Sequence, residues 1–198
     1  MNDSGRSTGE RGVDRASGGL PMQALLPAWI GLVAIGCAGR LFQPTYNVTP
    51  LVGIALCAGA FFPHPAIAAT VPAVALAASN LALPGGGSYG NWLMAAVVYG
   101  AFMWPVLVGP LVRGHRIAGT LGGALAGSLV FFLSTNFVHW CTGSDYPHTV
   151  AGLAECFTAA LPFYRWMPVG DLVWSAVLVA GMSAFAAVAN RRTSTEPS

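Results

Sequence analysis

Charge is what this chain has least of. Only 8% of its 198 residues are charged, and there is no lysine. A soluble domain carries about a quarter charged residues. With 55% hydrophobic residues, too little polar surface remains to cover a globule in water. The net charge of +2 is too small to recruit nucleic acid. Acids are sparse as well: outside the tails only Asp145, Glu155 and Asp171 occur. Paired carboxylates for acid–base work are therefore missing, and no nucleophile–base arrangement stands out. No enzyme activity is expected. Metal motifs are lacking too. His139, Cys141, Asp145, His148 and Cys156 follow no zinc spacing, and neither C-x-x-C nor H-E-x-x-H occurs. No metal or cofactor is expected. Cys141 and Cys156 fall near one membrane edge, where pairing stays open if that edge faces an oxidising space. No tandem or mirrored repeat is visible, which argues against an inverted-repeat transporter.

Long apolar runs are what the chain does have. A bilayer core of roughly 30 Å takes about 20 apolar residues as a helix. Runs over 25–42, 48–62, 66–83, 91–112, 117–140 and 168–190 fit, the second being short. Pro105 and Pro110 should kink the fourth. A shorter stretch, 150–161, reads as a helix lying at the surface or dipping in. The expected fold is all-α: a polytopic bundle of six transmembrane helices plus a short interfacial helix. Residues 1–20, Gly/Ser-rich with mixed charges, read as a disordered cytoplasmic tail rather than a cleaved signal. Residues 21–190 form the membrane domain, and 191–198 a short cytoplasmic tail. Six crossings with both termini inside put seven arginines in the cytoplasm and leave Arg40 and Arg165 outside. A five-crossing alternative would put the tail outside.

The polar residues then gather at one end. Ser79 and Asn80, Ser134 to Asn136, His139 and Asp171 lean outward, and the inner halves carry small residues. Asn136, His139 and Trp140 are spaced i, i+3, i+4 and share a helix face. Polar groups at membrane depth tend to be functional, although a helix end in the headgroup zone would look alike. Asp171 is the only acid inside an expected spanning helix. It follows Pro168, so it gains from the helix dipole, with a salt bridge to Arg40 or Arg165 or a ligand contact as alternatives. Trp174 and Ser175 share its face. Gly119, Gly123 and Gly127 in one helix, and Ala34 and Ala38 in the first, let another helix approach closely. The run Pro84 to Gly87 carries no Lys-Ser or Lys-Thr and reads as a flexible turn over the outer end, not a phosphate loop.

Several blocks, in order, carry a resemblance: R-L-F-Q-P-T-Y-N-V-T-P-L from Arg40, F-F-L-S-T-N-F from Phe131, Y-P-H-T-V-A-G-L from Tyr146, C-F-T-A-A-L-P-F from Cys156 and G-D-L from Gly170. The chain resembles a family of small bacterial integral membrane proteins labelled as transport proteins, which is similar to the substrate-binding S components of energy-coupling-factor (ECF) transporters. The resemblance implies six helices in the bacterial inner membrane, with a vitamin or other micronutrient bound near the outer face. It places Asn47, Asn136, Tyr146 and Asp171 at matching positions. It also implies a coupling transmembrane subunit with ATPases, met through Ala34-x-x-x-Ala38. The family pattern commonly ends the third helix in Asp after Ser. This chain has Ser79-Asn80, and the lost charge bears on whether its ligand is shared. The expected substrate-binding set is Asn47, Asn80, Asn136, His139, Trp140, Tyr146 and Asp171. The alternative function is a structural or accessory subunit that binds no ligand.

Overall fold

The structure, a computed structural model, describes residues 19–43, 47–83, 87 and 89–195. The tail expected to be disordered lies outside the described residues as far as residue 18. So do 84–86 of the expected turn and the last three residues. Among the described residues there are eight helices and no strand: α1 (Met22–Leu41), α2 (Leu51–Phe61), α3 (Pro65–Ala82), α4 (Trp92–Met103), α5 (Pro105–Gly114), α6 (Arg116–Thr142), α7 (Val150–Tyr164) and α8 (Met167–Thr195). Helices α4 and α5 are halves of one span. Pro105 has no N–H to continue the ladder, so the helix breaks at Trp104. Pro110 sits within α5 without ending it. Five segments, α1, α3, α4–α5, α6 and α8, are long and apolar enough to cross a membrane.

The expected second crossing is built differently. Helix α2 has 11 residues, and every one is buried. At 1.5 Å per residue it covers about half of a bilayer core. Its sequence, L-V-G-I-A-L-C-A-G-A-F, is apolar on every side, as a fully enclosed helix must be. Helices α3, α5, α6 and α8 pack around it. The stretch leading into it is not helical, yet Thr49 and Pro50 are buried and Val48 lies against Gly170. Irregular backbone at membrane depth is tolerated only when protein encloses it in this way.

Glycines set how closely the neighbours approach. A methyl at Gly59 would overlap the Val106 carbonyl, and one at Gly109 would overlap the Gly59 backbone, so α2 and α5 cross main chain to main chain. Gly119 faces the Leu111 backbone of α5, Gly123 faces Leu56, and Gly127 faces Val52. The glycine stripe of α6 thus packs inside this chain. Ala34 and Ala38 point the other way and are exposed on α1. Large apolar side chains such as Leu26, Ile30, Leu107, Leu129 and Val177 also face outward, where lipid would meet them.

Both ends of the described chain lie at one end of the bundle. Gly19 to Met22, His64, Arg113, Asn190, Arg191, Thr193 and Ser194 line a common cavity of about 990 Å³ there. Chain ends on one side require an even number of passages, with enclosed α2 counted as one. Arg113, Arg116, Arg191 and Arg192 mark this arginine end, and Arg40 and Arg165 lie toward the other, polar end.

Candidate functional site

The polar end does not gather the seven expected residues at one spot. They fall into four settings, fixed by the elements that carry them.

Asn47 and Asn136 come together. With Phe131, Phe132, Thr135, Ala160, Phe163, Tyr164 and Met167 they line a cavity of about 220 Å³ between the α1–α2 connection, α6, α7 and the start of α8. Asn47 holds φ at 63°, a left-handed backbone that Asn tolerates better than most residues. Asn136 donates its Nδ2 to the Phe132 carbonyl one turn back at 2.7 Å. Its amide oxygen has no protein donor among the described residues. Thr135 is likewise tied to the Phe131 carbonyl. The walls are aromatic: Phe132 stacks tilted on Tyr164 at 4.4 Å and meets Phe157 edge-on. Helix α7 is held to this wall by the Cys156 thiol, 3.6 Å from the Asn136 carbonyl oxygen. Burial, with some help from Asp145, pushes that thiol up from its ordinary range. Burial, and then the Asp171 carboxylate, push the Tyr164 phenol up as well. Both stay protonated at neutral pH, able to donate.

Asn80 is buried but committed. Its Oδ1 accepts from Arg40 Nη1, which also reaches Ser79 Oγ at 2.9 Å and the Leu76 carbonyl at 3.4 Å. Its Nδ2 donates to the Tyr89 hydroxyl at 2.8 Å. Asn80 also borders a shallow recess of about 590 Å³ with Gly87, Tyr89, Trp92 and Tyr99. Gly87 sits at φ 61° directly over the Asn80 amide, where a Cβ would clash. The part of Asn80 in the described structure is to hold the end of α1 and Tyr89 against α3.

His139, Trp140 and Tyr146 close on the loop that follows α6. His139 Nε2 lies 3.3 Å from Asp145 Oδ2, and its ring meets Tyr146 edge-on. Trp140 Nε1 donates to the Pro147 carbonyl at 3.0 Å and packs on His148. The His139–Asp145 pair is exposed, and such pairs contribute little to stability. None of the three lines the 220 Å³ cavity.

Asp171 lies deepest. It is 1% exposed, accepts from Ser128 Oγ at 2.6 Å, and lines neither polar-end cavity. The salt bridge to Arg40 or Arg165 weighed from sequence is not formed: the Arg40 guanidinium is held by α3, and Arg165 lies over the Trp166 ring. Nor do Cys141 and Cys156 pair, since all four cysteines are free. No group of three or more His, Cys, Asp or Glu side chains converges to hold a metal among the described residues.

Tyr164, Phe132 and Thr135 are the functional candidates that the sequence reading passed over. The block F-F-L-S-T-N-F pointed at two of them, because Phe132 is one turn before Asn136 and shares its face. Tyr164 gave no such signal, since it ends a helix whose placement depends on tertiary packing. No curated protein and no solved structure matches the chain. One sequence family does, across nearly the whole described membrane domain. Over residues 22–194 the chain belongs to a family of unknown function (DUF6580).

Proposed function

We propose that this chain is a membrane-embedded, S-component-like binding protein for uptake of a vitamin or similar micronutrient, bound at the polar end. The observation that carries the reading is the convergence of Asn47 and Asn136, both expected from sequence, on one aromatic-walled cavity. The uncommitted Asn136 oxygen, the Tyr164 hydroxyl and the Asn47 amide offer hydrogen bonds. Phe131, Phe132 and Phe163 offer stacking surface. A space of about 220 Å³ is small for a ligand pocket and suits a single ring system. The polar end faces outward from the inner membrane, because four of the six described arginines collect at the opposite end. A coupling subunit carrying ATPases would meet the exposed Ala34–Ala38 face of α1, where the open Gly31 continues the small-residue surface.

Thermal-shift screening of vitamins on the purified protein tests this. A true ligand at about 100 times its Kd should stabilise by about 2.7 kcal/mol. Asn136→Leu should abolish that shift while leaving the unliganded Tm nearly unchanged. A second reading, an accessory subunit without ligand, is favoured by the internal satisfaction of Asn80, His139 and Trp140. It predicts no stabilising vitamin and a harmless Asn136→Leu.

A further inference from the structure

Burying a carboxylate is costly unless a partner neutralises it, and the cost grows at membrane depth. Among the described residues Asp171 has no cationic partner. Its Oδ2 accepts from Ser128 Oγ, and its Oδ1 is fully enclosed with no hydrogen-bond partner among those residues. One turn along the same face of α8 is Ser175, 0% exposed, whose Oγ is also enclosed and unpartnered. This is unusual within the chain itself. Ser79, Thr120, Ser134, Thr135, Thr142, Thr158 and Ser183 each donate to the carbonyl four residues back. Ser175 does not, so its hydroxyl is not consumed by its own helix. Gly53 of α2 lies directly against the Ser175 main chain and the Leu178 side chain, so α2 brings no polar side chain at its closest approach to Ser175.

The geometry points to a buried site for one monovalent cation, a proton or a sodium ion, held by Asp171 and Ser175 and braced by Ser128. Both candidates share the chemistry that the site demands: a single positive charge that cancels the carboxylate and takes up unpaired oxygen lone pairs. A divalent ion would leave an excess charge in the core. The titratable groups on the packed elements do not supply the charge. Cys57 on α2 and Tyr164 on α7 are neutral acids. Glu155 and Cys156 on α7 bring no positive charge. Arg116 and His139 belong to opposite end turns of α6, Arg40 of α1 is engaged by α3, and Arg165 at the end of α7 is exposed and lies over Trp166. The site stands on these enclosed oxygens and does not depend on the vitamin-binding reading. It also touches that reading, since Tyr164 both lines the polar-end cavity and feels the Asp171 charge.

The test uses the full chain purified in detergent, with no vitamin present. Tm is followed as sodium chloride replaces choline chloride at constant ionic strength near pH 8, and separately as pH is lowered from about 8.5 to about 5.5 without sodium. A sodium site raises Tm by about 3 °C or more in the first series. A proton site raises it in the second series only, because uptake of the proton removes the buried charge. In either case Asp171→Asn, which is neutral at every pH, should lose the response. Ser175→Ala removes only an unpartnered hydroxyl, so its fold should persist. It should weaken half-saturation by about threefold in sodium, or move the pH midpoint by about half a unit. Should Asp171→Asn fail to fold, Ser175→Ala decides. If the wild type answers neither series, or Ser175→Ala answers both as the wild type does, the assignment is overturned.

Discussion

Arg40 ends α1 with a guanidinium received by three oxygens of α3, and that small network decides what Asn80 does. Replacing Asn80 with Leu would strip the buried acceptor from Arg40 and the donor from Tyr89. A loss of about 1–3 kcal/mol is expected, read as a lowered Tm of the purified protein. Asn80→Asp runs the other way. A carboxylate facing Arg40 makes a charge-assisted bond, and the Tyr89 hydroxyl can turn to donate. Tm should rise by about 2 °C, and a fall would show that desolvating the acid outweighs the pairing. The importance of Asn80 was legible in the sequence, as a polar group at a helix end. Its partner was not, because Arg40 and Asn80 meet only through the α1–α3 packing. The same holds for His139 and Trp140. Their i, i+1 adjacency to a polar loop was visible. That the loop folds back and occupies them depends on Asp145 and Pro147, whose placement no local pattern fixes.

At the scale of elements, α2 is where expectation and structure differ most. Its run was recognisably short for a crossing, and a helix apolar all round suits lipid as well as a protein core. What separates the two is composition by size. Helices facing lipid here carry large side chains outward, whereas α2 is half glycine, alanine and cysteine and is closed in on all sides. Its closest contact, Gly59 on Gly109, could not be read from a G-x-x-x-G pattern, because neither has a glycine four residues away in its helix and the pair is fifty residues apart. Gly59→Ala and Gly109→Ala should each cost about 3 kcal/mol or more, since the methyl meets main chain that cannot step aside. Gly122→Ala and Gly181→Ala, with open space at both positions, should leave Tm within about 1 °C or raise it slightly through better helix propensity. Fluorescence-detected chromatography of the four variants after heating would separate the pairs. Equal behaviour would mean that the α2–α5 crossing is looser than main-chain contact.

For the whole molecule, sidedness decides which compartment the polar end meets. Gly19 to Met22, Asn190, Arg191, Thr193 and Ser194 share one cavity with Arg113, so both ends of the described chain and the arginine cluster stand on one side. Cys141 stands on the other, exposed near the end of α6, while Cys57 and Cys156 are buried and Cys37 is half-buried against the Ala75 carbonyl. The chain therefore carries its own reporter of orientation. An impermeant maleimide applied to intact cells should label Cys141, and Cys141→Ser should remove nearly all of that labelling. In the same cells Ser194→Cys, placed in the Cys141→Ser background, should stay unlabelled until the membrane is permeabilised. The reverse pattern would keep the fold but turn the polar end toward the cytoplasm. The Asn47–Asn136 cavity would then open inward, and uptake would have to give way to a role on the cytoplasmic side.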